Sequence, residues 1–116
     1  MDNRENRRIE RPFTIQFCPA DAYPQKWDMS TIQNISAGGL RFTVANDTEL
    51  LNKIIHVRIR IPEITHILEM QAYVLELLPR ANTRFFDVRA KFINLSETNK
   101  KDLIFLERII YPNAPH

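Results

Sequence analysis

From Pro12 onward, apolar residues recur mostly at every second position, the pattern of strands that turn one face to a core. Phe13, Ile15 and Phe17 alternate with Thr14, Gln16 and Cys18. A turn around Ala22–Tyr23–Pro24–Gln25 leads into a second strand from about Trp27 to Ile35. Leu40, Phe42 and Val44 mark a third strand, set against Arg41 and Thr43. Ile55, Val57, Ile59 and Ile61 face away from His56, Arg58 and Arg60 in a fourth, which Pro62 closes. Leu68, Met70, Ala72 and Val74 make a fifth, and Leu75 and Leu77 break its phase, which predicts a bulge or a change of neighbour. Phe86, Val88, Ala90 and Phe92 form the sixth. The period then changes. Ser96 is placed as a helix N-cap, and Leu103, Leu106, Ile109 and Ile110 follow at helical spacing until Pro112.

Six short strands with one apolar face each, followed by one amphipathic helix, predict a mostly β fold. It is a six-stranded antiparallel β-barrel whose C-terminal α-helix packs against an opening or the outer wall. The chain divides into a flexible, arginine-rich arm over 1–11, a barrel over 12–95 and a helix over 96–111, all in one domain. At 116 residues there is room for one hydrophobic core and too little for two ordinary domains.

Net charge is +2, so a basic site has to come from local clustering rather than from the whole protein. The arm supplies such a cluster with Arg4, Arg7, Arg8 and Arg11. Cys18 is the single cysteine, which excludes an intrachain disulfide and a thiolate metal cluster. No leader-like segment and no bilayer-spanning run is present, so the expected location is the cytoplasm, with no membrane insertion.

Catalytic chemistry finds no constellation. His56 projects with Arg58 and Arg60, His66 falls in a turn, and His116 ends the chain, so no pair has metal-ligand spacing. Cys18 is assigned to the outer or helix-packed side without an evident base, and no base can be assigned to Ser36. Neither a P-loop nor a Gly-x-Gly-x-x-Gly motif occurs. The expectation is a binding module with no catalytic residue, no metal and no cofactor.

The chain has two glycines, Gly38 and Gly39, and they are adjacent. Other turns are served by Pro, Asn and Asp, which concentrates positive-φ freedom after Asn34–Ile35–Ser36–Ala37. Bare backbone amides beside short polar side chains suit a phosphate or a planar polar ligand. The same local chemistry reads equally well as a hairpin turn between the second and third strands.

Two elements carry a resemblance. Arg7–Arg8–Ile9–Glu10–Arg11 contains Arg-x-x-x-Arg, and Asn34–Ile35–Ser36–Ala37–Gly38–Gly39 contains Asn-x-Ser-x-x-Gly. In this order, the one before the first strand and the other on the second strand and the turn after it, they resemble the two signature elements of the PilZ family of cyclic di-GMP receptors. Arg4–Glu5–Asn6–Arg7–Arg8 satisfies the arginine spacing too. The Arg7/Arg11 register is preferred because Arg11 abuts the first strand, as the family's second arginine does. The resemblance implies that Arg7 and Arg11 hold phosphate and guanine, with Arg8 as an optional contact. It implies further that Asn34 and Ser36 receive a guanine at the barrel wall, beside Gly38 and Gly39.

The residue types fit such a ligand. A guanidinium fork meets guanine O6 and N7 bidentately and can stack on a base, while Asn offers both a donor and an acceptor. Glu5 and Glu10 dilute the arm's positive charge, and Glu76 and Asp87 fall in strands expected to border the site. The expected function is a receptor that binds cyclic di-GMP, orders its arm and signals through a downstream protein partner or through a homodimer. The alternatives are a single-stranded nucleic-acid-binding barrel using the arm with Arg41, Arg58 and Arg60, and a ligand-free adaptor. Against the former, Phe13, Phe17, Phe42, Phe86 and Phe92 fall on core-phase positions, and Trp27 and Tyr73 read as packing and barrel-surface residues, leaving few rings to stack on bases.

Overall fold

The computed structural model describes residues 13–45 and 49–110. Arg7, Arg8 and Arg11 lie outside the described residues, as does the whole arm. The elements are β1 (Phe13–Pro19), β2 (Asp28–Ile35), β3 (Gly39–Ala45), β4 (Ile54–Ile59), β5 (Leu68–Pro79), β6 (Phe85–Ile93) and α1 (Glu97–Ile110). All strand pairings are antiparallel, and the sheet closes on itself in the order β1-β2-β3-β6-β5-β4.

The inward phase is the one the alternation predicts. Ile15, Phe42, Ile55, Val57, Ile59, Ala72, Val74 and Val88 are almost wholly shielded from solvent. Phe17 and Phe42 meet inside, tilted, with ring centroids 4.9 Å apart. Phe86 is the exception among the core-phase aromatics: it pairs with Pro79 and Val44 near the strand ends and stays half-buried. Strand β4 ends at Ile59, two residues before the expected Ile61, although Ile61 is itself buried and Pro62 follows it. In β5 the register slips between Val74 and Glu76, which is the bulge that Leu75 and Leu77 announce.

Cys18 lies on the outward phase of β1 yet is fully buried. Its cross-strand partner is His56, and Trp27, just before β2, rests beside that histidine with ring centroids 6.5 Å apart. The segment between β1 and β2 therefore covers this part of the outer wall.

Helix α1 begins with a reciprocal cap. The Asn99 amide donates to Ser96 Oγ at 3.0 Å, and the Ser96 amide donates to Asn99 Oδ1 at 3.4 Å, with asparagine where a capping box usually carries Glu or Gln. Leu103 and Leu106 are buried in the same cluster as the inward residues of the strands. The helix thus covers an open end of the barrel. His66, in the β4–β5 connection, is tied to Asp102 of the helix, Nε2 to Oδ2, at 2.8 Å. No helix among the described residues is long and apolar enough to cross a membrane.

Candidate functional site

The β2–β3 turn is built from inside outward. Ile35 and Leu40 pair across it and both point into the core, which fixes where the turn leaves the wall. Between them the Ser36 amide donates to the Gly39 carbonyl at 2.9 Å, and the Gly38 amide donates to Ser36 Oγ at 3.2 Å. The Phe92 amide of β6 donates to the Gly38 carbonyl at 3.0 Å. The Ala37 amide donates to Glu107 Oε2 of α1 at 2.7 Å. A short charge-assisted bond of this kind ties the helix directly to the turn.

These bonds correct the expectation of bare amides. The N–H groups of Ser36, Ala37 and Gly38 are all engaged within the protein. The glycines are corrected as well. Neither has a positive φ, and the left-handed positions among the described residues are Asn52, Asn82 and Asn94. Gly39 is needed for close approach: a Cβ there would run into the Ala90 carbonyl oxygen and lie 3.1 Å from Lys91 Cα. At Gly38 a Cβ would meet nothing nearer than Ser36 Oγ at 3.9 Å. The two neighbours in sequence are thus unlike in role.

Asn34, Ser36, Gly38 and Gly39 line one cleft of about 330 Å³ on the outer wall. That is the lower end of the range for small-molecule sites. The cleft continues onto Arg41, Arg89 and Lys91, which sequence reasoning did not assign to the site. The register explains the grouping. Asn34 pairs with Arg41, Arg41 with Arg89, and Arg89 with Glu76, so one row runs across β2, β3, β6 and β5. Arg89 Nε donates to Glu76 Oε1 at 2.8 Å. That hydrogen bond and the guanidinium charge hold the Glu76 carboxyl below its ordinary value, with Arg41 adding to the effect. Glu76 in turn raises Arg89.

Glu107 was missed for a similar reason, since nothing in the helix pattern marks it as reaching a turn 70 residues away. Of the cations in the nucleic-acid alternative, Arg41 and Arg58 do not come together. Arg41 on β3 and Arg58 on β4 are separated by two strands in either direction around the barrel. Arg58 lies over the Trp27 ring, 4.0 Å from its centroid, with Glu69 3.6 Å away. Tyr73 donates to Asn52 Oδ1 at 3.2 Å. Among the described residues no group of three His, Cys, Asp or Glu could hold a metal ion.

The PilZ domain family matches residues 2–110. The chain belongs to the PilZ family. Solved structures agree on the PilZ fold at low identity. The Bacillus subtilis inhibitor of motility, MotI/DgrA, has a TM-score of 0.73 at 18% identity over 94% of this chain and 51% of that one. The PilZ domain of Escherichia coli YcgR with c-di-GMP has a TM-score of 0.65 at 17% identity, covering 90% of this chain and 82% of that one. PlzA of Borreliella burgdorferi in complex with c-di-GMP has a TM-score of 0.55 at 13% identity, covering 98% and 50%. The chain spans about half the length of MotI/DgrA and of PlzA. No curated protein gives a significant sequence match.

Proposed function

We propose that this PilZ domain is a receptor for cyclic di-GMP and not an enzyme. The observation that carries the reading is the Asn34-x-Ser36-x-x-Gly39 element, held on a braced hairpin turn and opening onto a cleft with three cations. Two PilZ relatives of the same fold, YcgR and PlzA, are described as complexes with c-di-GMP. Asn34 and the Ser36 hydroxyl meet the polar edge of a guanine. Arg7 and Arg11 hold phosphate and guanine from the arm, with Arg8 adjoining them. The chain enters β1 at Phe13, opposite Ile32 of β2, so the arm joins the barrel at the end of the β1–β2 ladder nearest Asn34. A ligand bridging arm and turn orders the arm, and the change is read by a downstream protein.

Isothermal titration is the test. Cyclic di-GMP is expected to bind in the sub- to low-micromolar range, and GMP and GTP far more weakly, because two separated half-sites act on one two-headed ligand. Equal affinity for GMP and cyclic di-GMP would refute the reading.

A further inference from the structure

The Arg41 and Arg89 side chains are direct cross-strand neighbours on the exposed wall, and Lys91 follows on the same face of β6. Like charges opposite each other in a sheet destabilise it unless something anionic lies between or beside them. Glu76 supplies one carboxylate, bound to the Nε side of Arg89. Arg41, Arg89 and Lys91 line the cleft and Glu76 pairs with only one of them, which leaves the site net positive, the complement of a phosphate-bearing ligand. Arg89, in the same row as Asn34 and Arg41, is held by an internal anion.

We propose that Arg89 is a ligand contact and that Glu76 is its intramolecular competitor, so that Glu76 sets the affinity of the site. An incoming phosphate or guanine edge takes the place of the Glu76 carboxylate on the guanidinium fork. Both side chains are nearly half exposed, 46% for Arg89 and 42% for Glu76, so the exchange needs no movement of the barrel. The bulge between Val74 and Glu76 puts the carboxylate there: without it the alternation of β5 would shift by one residue relative to β6. The competition rests on the cyclic di-GMP reading for its natural ligand, while its electrostatics can be tested with any small polyphosphate.

The experiment compares the full chain with Glu76→Gln, Arg89→Ala and the double variant by isothermal titration with cyclic di-GMP. In parallel, the Arg89 Nε–Hε NMR resonance is followed during titration with pyrophosphate. Glu76→Gln is expected to bind cyclic di-GMP about two- to fivefold more tightly, the scale of an exposed ion pair removed from competition. Arg89→Ala is expected to weaken binding, and in its background Glu76→Gln should have no further effect. The gain should shrink as salt rises. The Arg89 resonance should respond to less pyrophosphate in Glu76→Gln than in the native chain. Thermal melts of all variants should stay within a few degrees of each other, which separates competition from unfolding. A gain that persists in the Arg89→Ala background, or unchanged affinity in Glu76→Gln, overturns the proposal. If no variant binds cyclic di-GMP, the proposed function falls, and the Glu76 competition is decided by pyrophosphate: an equal Arg89 response in both chains overturns it.

Discussion

Adding one methyl group to each of the paired glycines should separate their roles sharply. In Gly39→Ala the new Cβ collides with the Ala90 carbonyl oxygen and crowds Lys91 Cα, both of them backbone atoms of the neighbouring strand. No side chain can rotate away, so β3 and β6 have to part where Gly39 pairs with Lys91. Overpacking of this kind costs roughly 1–3 kcal/mol, and weakening a ladder bond or the Ser36–Gly39 turn bond adds about 1 kcal/mol. Reduced freedom of the unfolded chain returns about 0.4–1 kcal/mol. The net expectation is a loss of about 2–3 kcal/mol, a fall in Tm of roughly 10 °C for a domain of this size. In Gly38→Ala the space is open and φ is not positive, so the change should be neutral or stabilising by up to about 1 kcal/mol. Urea and thermal unfolding of the two variants, with binding measured where both are folded, makes the comparison. Equal stabilities, or a greater loss in Gly38→Ala, would refute the close-approach argument.

In the arm, Arg7→Ala or Arg11→Ala should weaken cyclic di-GMP binding by roughly tenfold or more, each removing a charge-assisted contact, with little change in the Tm of the ligand-free protein. Arg4→Ala should bind nearly as the native chain does; the reverse order in titration would move the motif to Arg4/Arg8. Glu107→Ala should cost about 1 kcal/mol and speed amide exchange at Ala37, while Glu107→Gln, which keeps an acceptor, should lose less. The Glu76 carboxyl is lowered in the folded state from an ordinary value of 4.5, so its contribution to stability is present above that pH and fades as pH falls through the folded value. The Tm difference between the native chain and Glu76→Gln should accordingly be constant near neutral pH and close in acid, and a difference that widens in acid would contradict the assigned pairing.

Much of this molecule is legible in its sequence because a period of two is a strong signal wherever one strand face is buried. The phase break at Leu75 and Leu77 could be read for the same reason, since a bulge is visible as two patterns that do not join. The turn is marked by residue types with few other uses at that spacing. What the chain does not display is register. That Arg89 stands between Arg41 and Glu76 depends on how β3, β6 and β5 slide past one another, and β3 is not adjacent to β6 in sequence. Glu107 is hidden by distance along the chain. Cys18 shows another limit: alternation assigns a face, but a loop such as the one carrying Trp27 can bury the outer one.

The way the turn is tied down has a bearing on how such a domain can change over time. Its amides answer to Ser36, Gly39 and Glu107, so its shape is maintained by the domain for its own sake, whether or not a nucleotide is present. Under the proposed function, ligand preference then resides in exposed side chains such as Asn34 and Arg89 rather than in the backbone of the turn. On that reading, one or two surface substitutions suffice to abolish nucleotide binding while the barrel stays intact. The same small steps can restore binding or shift it to another anion.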